Sequence, residues 1–270
     1  MRDAECVAFL RWALPQLHLH WPGFRRVRRQ VCKRLARRLR ALGLGEVAQY
    51  RQYLLAQPQE WAVLDRLCHI SISRFYRDAE VFAALASPLA ALACQAQQQG
   101  ERTLWCWSAG CASGEEAYSL VLLWAFVLQG RFPALRLRVV ATDADVALLR
   151  RARRACYPAS SVRGLPPAWQ AQAFAPCRGG FCLRPAYRDP VLLCAQDLRC
   201  DAPQRRFWLI LCRNVAFTYF VPALQREVLR RLVTHLFAGG LLLIGAREAL
   251  PVACPELAAV EGVPGLFRRR

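Results

Sequence analysis

Between residues 24 and 42 the stretch FRRVRRQVCKRLARRLRAL sets Val27, Val31, Leu35, Leu39 and Leu42 three or four positions apart, with basic residues between them. That spacing predicts an amphipathic helix, ended by Gly43 and Gly45. EVAQYRQYLL and QEWAVLDRLC continue as two further helices, and residues 79 to about 94 as another. The period then changes. TLWCW, LRVVAT, FWLILC and LLLIGA are short apolar runs ending at polar or glycine residues, and helical periods follow the first three. Short apolar strands alternating with helices predict an α/β fold, a mostly parallel sheet covered on both faces. Residues 157–206 hold seven of the sixteen prolines and little helical period, so loops with a small β insert near 176–196 are expected there. The chain divides on this reading into a helical domain, 1–72, and a sheet domain, 73–270.

The most informative stretch is WCWSAGCASGEEAYSLVLLW, residues 105–124. If TLWCWSA is the first strand, Gly110 to Gly114 form the turn at its carboxyl end, where glycine lets a ligand approach the backbone. Glu115 and Glu116 then fall in the first turn of the following helix. They complement the helix dipole, but they would repel a pyrophosphate, and no Walker lysine is present. The second strand ends at Asp143, the position where a carboxylate accepts the two hydroxyls of a ribose. Glycine turn and acid together predict a site for an amine-bearing nucleoside without phosphate, which is S-adenosylmethionine.

Charge and cysteine content narrow the rest. The net charge of +19 is carried almost wholly by arginine, Lys33 being the lone lysine, so an anionic partner is expected. Arginine suits carboxylate and phosphate alike, so charge alone does not choose between acidic protein and nucleic acid. The thirteen cysteines are scattered, odd in number and without a Cys-x-x-Cys pair, which predicts reduced thiols, no disulfide framework and a cytoplasmic setting. His18 and His20 lack partners for a tetrahedral site, so no metal is expected. The N-terminus has no signal-peptide pattern and no apolar stretch runs 18 residues unbroken, so no membrane insertion is expected.

In this order, SISRFYRDAEVF, WSAGCASGEEAYSL, ATDADVALLRRAR with Cys156-Tyr157, and LILCRNVAFTYF, preceded by KRLARRLRALGL, resemble the signatures of the CheR-type chemotaxis receptor methyltransferases. The resemblance implies a Rossmann-like methyltransferase sheet after a small helical domain. It implies transfer of methyl from S-adenosylmethionine to receptor glutamates, with S-adenosylhomocysteine as product. By position, Ser71, Ser73 and Arg77 would contact the methionine part of the cofactor, and Glu116, or in second place Glu115, its ammonium group. Gly110 and Asp143 would serve the nucleoside, Asp197 and Leu198 the adenine, while Arg213 and Asn214 would close the pocket. Arg77 and Tyr219 would be catalytic.

The chain departs from the family pattern at Ser71 and Asp197, where asparagine is usual, and by one extra residue in Asn214-Val-Ala-Phe-Thr-Tyr219-Phe, which leaves Thr218 at the tyrosine's count. The helix carrying Arg25, Arg29, Lys33, Arg37 and Arg40 is expected to dock an acidic helical substrate, the cytoplasmic domain of a chemoreceptor, with the enzyme a monomer. Two alternatives stand beside it: a methyltransferase of the same fold acting on nucleic acid or a small molecule, and a cofactor-binding regulator without turnover. Nucleic acid is disfavoured because no base-stacking aromatics are interleaved with the arginines.

Overall fold

The computed structural model describes residues 2–270. The chain forms two compact units, one of residues 1–70 with 218–225, the other of 71–217 with 226–270. A single boundary at 72 therefore omits the segment 218–225, which joins the helical unit from far along the chain.

The helical unit contains α1 (Asp3–Gln16), α2 (Trp21–Phe24), α3 (Arg28–Ala41), α4 (Val47–Ala56) and α5 (Glu60–Cys68). Val31, Leu35 and Leu39 make the buried stripe of α3, as their spacing predicts, and Gly43 beyond it takes φ +69°. Residue 23 must be glycine here, because a Cβ would lie 2.1 Å from the Thr218 carbonyl oxygen. At the heart of the unit Arg38 donates to Glu60 at 2.9 and 2.6 Å, and the Tyr50 hydroxyl donates to the same carboxylate at 2.7 Å.

The second unit opens with α6 (Ala79–Gln98) and contains β1 (Thr103–Ala109), α7 (Glu115–Leu123), β2 (Arg136–Asp143), α8 (Val146–Arg154) and β3 (Cys156–Tyr157). Further strands are β4 (Phe174–Cys177), β5 (Gly180–Leu183), β6 (Val191–Ala195), β7 (Phe207–Cys212), β8 (Leu236–Ile244), β9 (Leu257–Ala259) and β10 (Leu266–Arg269). The main sheet runs β6-β2-β1-β7-β8-β10-β9, parallel from β6 to β8 and antiparallel at β10 and β9. All four apolar runs are strands of it, and every residue of β7 is buried, as a central strand covered on both faces requires. α6 is, among the described residues, the one helix long and apolar enough to cross a bilayer by length and composition. Its Phe82, Leu85, Leu89 and Leu92 are fully buried in the core.

The insert differs from the one expected near 176–196. A separate three-stranded sheet, β3-β5-β4, spans residues 156–183, while VLLCA of β6 is the parallel edge strand beside β2. The expectation of uniformly reduced thiols also needs correction. Cys6 is bonded to Cys32 and Cys156 to Cys182, leaving nine cysteines free. Both pairs come from residues 26 apart that the fold sets side by side, a proximity invisible in spacing.

Candidate functional site

The strand order reverses between β1 and β7, from which the sheet proceeds through β2 on one side and β8 on the other. Such a reversal leaves a crevice beyond the carboxyl ends of the two strands. Gly110 and Gly114 frame the turn after β1 with φ +78° and +91°. A Cβ on Gly110 would meet Val215 at 2.6 Å, and one on Gly114 would meet Tyr118 at 2.8 Å. Both glycines answer to backbone conformation and to crowding. The Gly110 and Cys111 N–H groups donate to the Thr142 carbonyl at 2.8 and 2.9 Å. Asp143 completes the turn by accepting the Ala112 N–H on one carboxylate oxygen and the Asp145 N–H on the other, each at 2.8 Å. From the insert, the Tyr157 hydroxyl donates to the Ser113 carbonyl at 2.7 Å.

The two adjacent acids have different surroundings. Glu115 is buried at 2% exposure, and its carboxylate accepts the Ser113 hydroxyl at 2.9 and 3.0 Å and the Ser161 hydroxyl at 3.3 Å. Glu116 accepts Ser108 Oγ at 2.8 Å and has only a 3.4 Å contact from Arg213 Nη1. Burial pushes the Glu116 carboxyl above its ordinary range, although Arg213, Ser108 and Arg77 all pull the other way. Arg213 is itself buried. Its Nη2 donates to Asp78 at 2.6 Å and to the Arg77 carbonyl at 3.1 Å, its guanidinium lies 5.2 Å from the Phe82 ring centroid, and its Nε has no hydrogen-bond partner.

Ser71 and Ser73 are half-buried on the segment leading to Phe75, which is held by Phe75 N–H to the Ser161 carbonyl at 3.0 Å and Tyr76 N–H to Ser119 Oγ at 2.8 Å. Arg77 donates to the Ile72 carbonyl at 3.1 Å, and its neighbours Tyr76 and Asp78 take φ +53° and +60°. Asp197 is engaged by Arg199, at 2.7 Å from Nη2 and 3.0 Å from Nε. Leu198 is buried and its carbonyl accepts from Arg231 at 2.5 Å. Asn214, at φ +57°, donates its N–H to Glu248 at 2.9 Å. Non-glycine residues in the left-handed region thus gather at this crevice, with Ala112 at φ +49°.

Sequence reasoning missed Asp78, Ser108, Gln196 and Glu248. Gln196 holds its N–H to the Asp143 carbonyl at 3.2 Å while its buried Oε1 lacks a partner. None of the four has a local signal, since the partner that ties each to the crevice lies on another element.

Tyr219 and the basic helix belong to the helical unit. The Tyr219 ring packs edge-on to Phe24 at 5.1 Å, and its carbonyl accepts the His20 N–H at 2.7 Å. Arg25, Arg29, Lys33, Arg37 and Arg40 are exposed. Other cations of the same stretch bond within the unit: Arg28 to Asp3 at 3.1 Å, Arg38 to Glu60, and Arg34 to the Leu67 carbonyl at 3.1 Å and to that of His69.

The family model for the CheR methyltransferase, SAM binding domain, matches residues 71–263. The chain is 33% identical to the chemotaxis protein methyltransferase of Escherichia coli over 82% of this chain and 76% of that one. It is also 33% identical to an uncharacterized 104.1 kDa protein of Rhodobacter capsulatus over 82% of this chain, which spans only 23% of that longer protein. Among solved structures, the glycopeptide N-methyltransferase MtfA with sinefungin aligns over 57% of this chain and 48% of its own at 16% identity, with a TM-score of 0.35. The donor set fits S-adenosylmethionine. Around a glycine-framed turn it offers a carboxylate short of partners, the Asp143 carboxylate at the end of β2, and an orphaned amide oxygen, acceptors suited to an ammonium, hydroxyls and an amine.

Proposed function

Because the chain belongs to the CheR methyltransferase family and carries its S-adenosylmethionine-binding domain, we propose that it forms glutamyl methyl esters on an acidic, helical protein, the cytoplasmic region of a chemoreceptor. The observation that carries the reading is the Glu116 carboxylate, half-buried beside the glycine turn with its nearest arginine 3.4 Å away. It is a place prepared for a further cation. Glu116 holds the ammonium of the cofactor, Arg77 its carboxylate and Asp143 its ribose. Gln196 Oε1 and the Asp197-Leu198 segment serve the adenine.

Bound S-adenosylmethionine supplies an electrophilic methyl group on a sulfonium. The acceptor glutamate is already ionised at neutral pH, its reference pKa being about 4.3, so no side chain need act as a base. Charge is cancelled as the methyl moves. What this chain contributes is alignment, and holding reactants in line can supply roughly 7–11 kcal/mol of a barrier. Arg213 stabilises that alignment by tying Asp78 and the Arg77 carbonyl to the Glu116 side of the turn.

The exposed cations of α3 and its approach suit a substrate with acidic helices, and a cytoplasmic setting follows from that partner. The test supplies methyl-labelled cofactor and a receptor cytoplasmic fragment. Label should appear on the fragment and leave it as methanol on mild alkali, as a carboxyl ester does. In Arg29→Glu/Lys33→Glu, kcat/KM should fall severalfold at low salt with a flattened salt dependence and unchanged cofactor affinity. Alkali-stable label, or label on nucleic acid instead of protein, overturns the reading.

A further inference from the structure

The small sheet β3-β5-β4 has two faces of unlike chemistry. Tyr157, Phe174 and Leu183 are buried at 2–4% exposure, and the Tyr157 and Phe174 rings pack edge-on against Phe75 at 4.9 and 5.2 Å. Successive residues of a strand face opposite ways, so Cys156 and Cys182, each preceding a buried residue, lie on the outer face. The register brings them together. Cys156 stands opposite Cys182 on one side of β5, and Ala175 opposite Cys182 on the other. Cys177, two residues beyond Ala175, shares that face and sits diagonally from Cys182.

Accordingly the three sulfurs all lie within 4.8 Å of one another, with Cys156 and Cys177 exposed and Cys182 half-buried. The solvated face of an antiparallel sheet ordinarily carries polar side chains. Three cysteines converging there from three strands add nothing to the core.

We propose that, in the thiol form, Cys156, Cys177 and Cys182 bind one soft d10 cation of the zinc or copper(I) class as a tris-thiolate site with one position left open. Zn–S bonds of about 2.3 Å put tetrahedral sulfurs about 3.8 Å apart, within reach of side-chain rotation from the observed grouping. Thiolates select such cations over hard ones. The exposed Arg154 and Arg178, flanking Cys156 and Cys177, offset the charge of three thiolates. The Cys156–Cys182 disulfide excludes the metal because it uses two of the three donors. A small dithiol reduces that bond, being itself oxidised to a disulfide, and returns two thiols. Metal binding then displaces the thiol protons to solvent.

The experiment titrates the reduced full-length chain with Co2+ without oxygen. One equivalent should bind with an intense thiolate-to-cobalt charge-transfer band, and one equivalent of Zn2+ should remove the band. Cys177→Ser and Cys182→Ser should each weaken binding at least tenfold and lose the band, whereas Cys200→Ser, at an exposed cysteine elsewhere, should keep both. Oxidation of the wild-type chain with a small disulfide should abolish uptake. Retained S-adenosylhomocysteine binding certifies the fold of each variant. No band in the wild type, or a band that persists in Cys177→Ser or Cys182→Ser, overturns the proposal.

Discussion

Each unit of the molecule contains an arginine–glutamate pair, and the two behave oppositely. In the helical unit Glu60 is gripped by Arg38 at 2.9 and 2.6 Å and by the Tyr50 hydroxyl at 2.7 Å. The Arg38 bond holds its carboxyl below the ordinary range, overcoming the burial that would raise it. In the sheet unit Glu116 has one serine at 2.8 Å and a distant arginine at 3.4 Å, and burial wins, lifting its carboxyl above that range. Both carboxylates lie beside a guanidinium, Glu60 buried and Glu116 half-buried. One is saturated and serves stability, while the other is left short of partners, which costs stability and leaves room for a ligand. Completeness of the hydrogen bonds, more than the presence of an opposite charge, separates the structural pair from the group we propose to bind the cofactor.

The largest expected effect comes from breaking the saturated pair. Arg38→Met leaves Glu60, whose side chain is 4% exposed, buried without its guanidinium and held by the Tyr50 hydroxyl alone. A fully buried pair costs roughly 3–5 kcal/mol to break in this way, and the 30% exposure of Arg38 places this one toward or below the lower end. Urea unfolding measures it, and Arg38→Met/Glu60→Leu should recover most of the loss. Glu60 has a lowered carboxyl, so its stabilisation is fully present above the ordinary glutamate value of about 4.3 and is lost as pH falls below it through the folded value. In the double variant that part of the acid dependence should vanish.

Asp143→Ala comes next. It removes the acceptor for two backbone N–H groups and, on the proposed assignment, for the ribose. Loss of a buried partner costs about 1–3 kcal/mol, or one to two decades of cofactor affinity. Titration calorimetry with S-adenosylhomocysteine checks it, and Asp143→Asn should recover only part. An unchanged affinity would remove Asp143 from the nucleoside site.

How far the sequence carries these distinctions depends on the range of the interaction. The four apolar runs are strands because a buried parallel strand needs only its own side chains to be recognised, and Gly110, Glu116 and Asp143 are legible because each sits at a strand end or in a first helical turn. α1 escaped because its residues give no clear stripe and Pro15 interrupts the pattern. The short strands β3 and β4 escaped because two to four residues show no period, whereas β5 lies within the expected insert. Nothing local distinguishes Arg38 from Arg37. The first finds Glu60, 22 residues on, and the second faces solvent. The same holds for Asp78 and Glu248, whose roles depend on Arg213 and Asn214, 135 and 34 residues away. The disulfide partners, each 26 residues apart, belong to the same class.

On the proposed function Glu116, short of partners, receives the cofactor's ammonium, and proton linkage reads that role. A carboxyl raised in the folded chain stabilises it when protonated, fully so below about pH 4.3, and that contribution is lost as pH rises through the folded value. A bound ammonium reverses the preference and pulls the carboxyl down, so binding must release protons around that raised value. Calorimetry of S-adenosylhomocysteine binding, across acid to neutral pH and in buffers of different ionisation enthalpy, reads this release. In the wild type affinity should climb with pH and binding should release protons. In Glu116→Gln affinity should be about tenfold or more weaker, with a flat pH profile, no release, and urea stability near neutral pH equal to or above the wild type. Wild-type affinity and pH profile retained in Glu116→Gln would contradict that role.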